Sequence, residues 1–266
     1  MHFIDHLVIT IADYATTYPV YAAICGCEPA GHQADDGSAR VLRFYLGVSM
    51  VELAEPVGRP GTGVGAYLQR RLDASGPGVH LICLPSDSPS TVAMDLENAG
   101  ARILRIDDHL YVHPKSANGV LVQLTPRREF GPPSLPGDAR LDHIAIVVKD
   151  LAQAEPVWSS ITGVKGEAMG VHPASNGSFV ATRFLMGEQM IELVSPVDGI
   201  ESRMAGRLAQ RGEGIMAVAL PADDLDRTLE RVRSTGSRVL WQDPHWMVHP
   251  KDAAGVLIQL TPRIEH

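Results

Sequence analysis

The stretch HPKSANGVLVQLTPR (113–127) returns as HPKDAAGVLIQLTPR (249–263), identical at 12 of 15 positions. Earlier blocks return in the same order: IDHLVITIAD (4–13) as LDHIAIVVKD (141–150), and PVYAAICG (19–26) as PVWSSITG (156–163). RFYLGVSMVELAEPV (43–57) likewise returns as RFLMGEQMIELVSPV (183–197), and GPGVHLICLP (76–85) as GEGIMAVALP (212–221). A repeat kept in order over the whole chain restricts the fold to two like halves. The Pro- and Gly-rich REFGPPSLPGDAR between them reads as a linker. The expected organisation is therefore residues 1–127, a linker at 128–140, and residues 141–266.

Each half contains a coarser echo of itself, in which a strand is followed by a helix and then by short strands. Ser88-Pro89 has the form of an N-cap with proline at the first helical position, and Gly100 closes the helix. Val92, Leu96 and Ala99 fall on one face of that helix. Its counterpart starts at Asp223 or Asp224, buries Leu225, Leu229 and Val232, and stops at Gly236. ARILRI, LYVHP and GVLVQLTP then read as strands. The expected fold class is α+β: four βαβββ modules in two tandem halves, each half a curved mixed sheet, or half-barrel, with its helices outside.

Apolar content of 45% and charged content of 20% belong to a globular chain. A net charge of −8 argues against nucleic acid as a partner, because phosphate binding relies on clustered Lys and Arg. The segment MHFIDHLVIT lacks the regions of a signal peptide, and no apolar run suits a bilayer, so a cytoplasmic protein without a membrane partner is expected. Cys25, Cys27 and Cys83 leave one thiol unpaired at best, which points to reduced cysteines. GTGVGAYLQRRL (61–72) has loop-like glycine spacing but lacks the ending of a phosphate loop.

Strand alternation selects the candidate site residues. His6, Val8 and Thr10 share one face of the first strand, and Met50, Glu52 and Ala54 one face of another. His80, Ile82 and Leu84 form a third set, and Leu121, Gln123 and Thr125 a fourth. Four strands thus each offer one polar, metal-competent side chain on an apolar face. Arg43 and Arg183 recur in RF, and an inward arginine suits a substrate carboxylate or phosphate. Asp5 and Asp142 precede the histidines and are expected on the opposite face, in structural roles. His113 and His249 stand just before a proline and are turn formers, with His113 also a candidate acid or base at the pocket rim.

These motifs (DH, EL…P, GxGxH and HPK…GVLxQL) resemble the vicinal oxygen chelate superfamily of glyoxalases, bleomycin resistance proteins and extradiol dioxygenases. The likeness is strongest to the methylmalonyl-CoA epimerase-like branch. The resemblance implies a divalent metal (Zn, Co, Ni, Mn or Fe) held by His6, Glu52, His80 and Gln123. The second-half equivalents are His143, Glu192 and Gln259, with Met216 in place of a histidine. Pairing of modules within a half is expected; exchange between halves would instead join His80 and Gln123 to His143 and Glu192. With pairing within a half, the second half would be a degenerate copy.

Three departures bear on chemistry. Gln123 and Gln259 replace a carboxylate, and an amide is no general base. Arg43 and Arg183 stand where the epimerases carry a catalytic glutamate, and a thioether at Met216 suits soft metals. The expected function is a metal-dependent epimerase, isomerase or lyase acting on a small oxygenated substrate. Glu52 would be its base, His113 the reserve, and Arg43, Met50 and Leu121 the substrate contacts. One alternative is an Fe(II) ring-cleaving dioxygenase, against which Leu110 and Trp246 stand where such enzymes carry tyrosine. The other is a non-catalytic drug-binding or resistance protein. The chain would act as a monomer or homodimer.

Overall fold

A computed structural model describes residues 2–33, 37–58, 61–127, 138–173, 177–197, 202–242 and 244–263. The first half runs β1 (His6–Thr10), α1 (Tyr14–Cys25), β2 (Ala30–Gln33), β3 (Ala39–Leu46) and β4 (Ser49–Pro56). It continues with α2 (Gly63–Ser75), β5 (Gly78–Ser86), α3 (Pro89–Asn98), β6 (Ile103–Ile106), β7 (His109–Val112) and β8 (Leu121–Pro126). The second half repeats the order: β9 (His143–Val147), α4 (Leu151–Thr162), β10 (Glu167–His172), β11 (Phe179–Met186) and β12 (Gln189–Pro196). α5 (Arg203–Arg211), β13 (Gly214–Ala219), α6 (Leu225–Ser234), β14 (Val239–Gln242), β15 (His245–Val248) and β16 (Leu257–Leu260) complete it.

The fold is α+β in two tandem halves, as expected. The strands form two open sheets, ordered β2-β3-β4-β1-β5-β8-β7-β6 and β10-β11-β12-β9-β13-β16-β15-β14. Each sheet is mixed: β1 runs parallel to β4 and β5 to β8, while the hairpins are antiparallel. α2 and α5 were not anticipated; the glycines of the 61–72 segment open a helix rather than a loop. Most of the expected linker, 128–137, lies outside the described residues. Cys25, Cys27 and Cys83 are free thiols. Among the described residues no helix is long and apolar enough to cross a membrane.

Local signals set the helix ends. Asp13 and Asp150 accept hydrogen bonds from the Ala15 and Ala152 amides at 2.9 Å, capping α1 and α4. Gly26 and Gly163 end the same helices in the left-handed conformation. Ser88 precedes α3, but its hydroxyl bonds Thr91 Oγ1 at 2.7 Å instead of a backbone amide. α3 buries Ala93 and Leu96, one step from the expected stripe, and α6 buries Thr228, Leu229 and Val232.

Contact density divides the chain into two compact units that do not coincide with the halves. One comprises Met1–Asp5, Leu81–Glu129 and Asp142–Val218; the other comprises His6–His80, Phe130–Leu141 and Ala219–His266. In the first unit α3 packs on α4, and the fully buried Trp158 donates its indole N–H to Asn118 Oδ1 at 3.0 Å. In the second, α1 packs on α6, and Tyr21, the repeat equivalent of Trp158, donates its hydroxyl to the Ala253 carbonyl at 3.2 Å. Arg231 there donates to Asp138 Oδ2 at 2.8 Å and to the Ala23 carbonyl at 3.1 Å.

Candidate active site

The β3–β4 hairpin turns at Gly47-Val48, and its register sets Arg43 opposite Glu52 and Tyr45 opposite Met50. Parallel pairing of β1 with β4 adds His6 beside Met50 and Val8 beside Glu52. His6, Met50 and Glu52 therefore share a face, as the alternation predicts. Arg43 joins them, and its Nε donates to Glu52 Oε1 at 2.7 Å. The second half repeats this: Arg183 lies opposite Glu192, and its Nε donates to Glu192 Oε1 at 2.7 Å. Glu52 Oε1, the base expected from the sequence, is thus engaged by Arg43. Met50 and Leu121, expected substrate contacts, are buried to 5% and 8% exposure.

His80 is the clearest correction. The β5–β8 register places Leu81 beside Leu121 and Cys83 beside Gln123. The face of β5 that accompanies Gln123 therefore carries Leu81 and Cys83, and strand alternation turns His80 the other way. Its ring meets Tyr67 of α2 edge-on at 5.0 Å. Burial first, and the charge of Arg71 second, push its pKa down to about 4. The folded state thus favours the neutral ring, so its contribution is present above the unfolded value of about 6.5 and is lost as pH falls toward 4. Stability should drop by about 2–3 kcal/mol over that window. A His80→Gln variant, followed by urea denaturation at pH 7 and pH 4.5, should lose most of that slope.

Gln123, buried to 7% exposure, lies beside Tyr111 of β7, and its amide nitrogen donates to His109 Nδ1 at 3.3 Å. His109 escaped the sequence reading, although H-x-x-V-H-P recurs at His245. Gln259 lies beside Met247 in the other unit. His113 and His249 are turn formers: Nδ1 of each accepts from the backbone N–H two residues on, at 3.0 and 3.1 Å. Nδ1 of His113 is thereby occupied as an acceptor.

In the first unit, Asp142 lies one residue ahead of β9, where alternation does not bind it. Its carboxylate accepts a 2.5 Å hydrogen bond from His143 Nδ1–H, so Asp142 is not turned away from His143 as the alternation predicts. This bond fixes the tautomer and leaves His143 Nε2 as the basic nitrogen. His143 lies beside Met190 on the face that carries Glu192 and Arg183. Two residues further along, Val147, Ala181 and Val194 form an apolar cluster with Met204, packed against Leu208 and Met216. Met216 thus fills the core beneath α5 and is no metal donor.

The donors do not fit the divalent ion implied by the resemblance. Glu52 and Glu192 are held by arginines, and Gln123 is turned to His109. His6, Glu52 and His80 do not bring their ligand atoms within 4.8 Å of one another. The ligand atoms of Asp5, His6 and Cys83 do lie within that distance of one another, but of these only His6 belongs to the implied set.

Residues 142–253 match the sequence model of the Glyoxalase/Bleomycin resistance protein/Dioxygenase superfamily. Among characterised proteins, the chain is similar to the ethylmalonyl-CoA/methylmalonyl-CoA epimerase of Cereibacter sphaeroides. They are 28% identical over 131 residues, 46% of this chain and 95% of that protein. It is also similar to the mitochondrial methylmalonyl-CoA epimerase of Homo sapiens, 28% identical over 130 residues, covering 46% and 72%. A variant of 4-hydroxymandelate synthase from Streptomyces coelicolor shares the fold, with a TM-score of 0.71 over 99% of this chain and 94% of that one. Its 14% identity extends the likeness to fold alone. The resemblance read from the motifs therefore holds, with residues 142–253 of the second half matching the model of the Glyoxalase/Bleomycin resistance protein/Dioxygenase superfamily.

Proposed function

We propose that the chain is a proton-transfer enzyme of the epimerase or isomerase kind, acting on the carbon next to a carbonyl in a small carboxylate-bearing substrate. The observation that carries this reading is the Asp142–His143 hydrogen bond on the strand face that also holds the Arg183–Glu192 pair. His143 Nε2 would remove the proton, with Asp142 stabilising the imidazolium that forms. Arg183, two strands across the sheet from His143 and two residues along it, would hold the substrate carboxylate. The epimerase names of the relatives support the same reaction class.

The test uses methylmalonyl-CoA and ethylmalonyl-CoA as probes in D2O. Uptake of one deuteron at C2, read by mass spectrometry at a rate well above the protein-free control, is the expected result. Exchange no faster than that control with either probe retires the reading. A second reading, small-molecule binding without catalysis, is favoured by the same locked glutamates. Saturable binding of the probes without deuterium uptake would select it.

A further inference from the structure

The Arg–Glu pair is built twice, once in each unit. In both, the register places arginine directly opposite glutamate, and only Nε reaches the carboxylate, at 2.7 Å. Among the described residues neither arginine's terminal amino groups have a protein partner. The glutamate side chains are 12% and 10% exposed, whereas the arginines are 35% and 33% exposed. The carboxylate is thus the buried anchor and the guanidinium the outward member. A guanidinium fixed through Nε presents its two Nη groups as a planar fork, which matches a carboxylate or phosphate. The wall beside each pair is largely apolar: Val41, Ala54 and Val8 in one unit, Ala181, Val194 and Ala145 in the other. Apolar surroundings strengthen a charged hydrogen bond with an incoming anion.

We infer that Arg43 and Arg183 are two equivalent oxyanion sites, each a guanidinium that supplies the positive charge for which the implied metal set is unfit. The ligand class is a small carboxylate. The inference covers Arg43, which the proton-transfer reading does not use, and it is independent of any C–H chemistry. It also gives Glu52 and Glu192 a definite part, which is to orient the fork rather than to coordinate an ion.

Calorimetric titration of the full chain with methylmalonate, and separately with inorganic phosphate, tests this. Two equivalents of methylmalonate per chain are expected. Arg43→Met should remove one and Arg183→Met the other, while Arg43→Lys should weaken its site about tenfold by losing the fork. Glu52→Gln removes a neighbouring negative charge and should tighten binding at Arg43 by roughly three- to tenfold, an effect a merely structural pair would not give. Binding of phosphate in place of methylmalonate would overturn the assigned ligand class. A single equivalent insensitive to both Arg43 variants would overturn the second site. So would a stoichiometric divalent ion, measured by elemental analysis, that is lost on Glu52→Gln. Because the readout is binding, an inactive protein that binds two anions would sink only the proton-transfer reading.

Discussion

His143→Gln should lower deuterium uptake into the probe by roughly 10²–10⁴-fold, the range by which a positioned general base accelerates proton transfer. Binding of the probe should change little, because the anion is held by Arg183 and not by the imidazole. The loss should therefore appear in kcat and leave KM nearly unchanged, the pattern of an interaction made only in the transition state. Asp142→Asn is a finer probe. An asparagine side-chain oxygen can still accept from His143 Nδ1–H, so the tautomer can survive, but the charge that stabilises the imidazolium is gone. A loss of roughly 10–10²-fold, again in kcat, is expected. If His143→Gln retains full exchange while Asp142→Asn also does, the base lies elsewhere and the assignment falls. Residual exchange in both variants is expected to require Arg183, whose fork holds the substrate carboxylate whether or not the imidazole is present.

The fold was legible because the chain repeats itself and its strands alternate with period two. The two errors that mattered at the site were errors of parity and of local freedom. Counting alternation from the histidine itself places His80 with Gln123. The β5–β8 register counts from Cys83, and nothing in GVHLICLP announces where pairing with β8 begins. A slip of one residue reverses every side chain. The same rule sends Asp142 to the far face, and it fails there because the strand starts at His143. The Arg43–Glu52 contact, by contrast, was readable. RFYL-GV-SMVE is a hairpin with a two-residue turn, and counting outward from Gly47-Val48 pairs Leu46 with Ser49 and Arg43 with Glu52. The compact units were not legible. They depend on Tyr21 and Trp158 meeting residues of the opposite half, which no local pattern encodes.

The glycine repeated in HPK…GVL explains why that stretch is written alike in both halves, and replacing it should produce the largest loss of stability. Gly119 and Gly255 hold φ at +81° and +80°, where a side chain is strained. A Cβ on Gly119 would lie 2.3 Å from the carbonyl oxygen of Glu213, and one on Gly255 2.3 Å from that of Pro77. Both obstacles are backbone, so neither can swing aside as a flexible side chain would. Each glycine thus lets the last hairpin of one half approach the loop before the strand of the other, Glu213-Gly214 or Pro77-Gly78. Gly119→Ala and Gly255→Ala should each destabilise by about 2–5 kcal/mol, combining the left-handed penalty with overpacking. That is a large part of the roughly 5–15 kcal/mol typical of a folded domain. Gly100→Ala and Gly236→Ala separate the two contributions, because φ is +88° and +82° there but nothing lies within 4 Å of the added Cβ. These should lose only about 1–2 kcal/mol. Urea denaturation of the four variants measures the difference, and equal losses across all four would show that the close approach of the halves contributes nothing to stability.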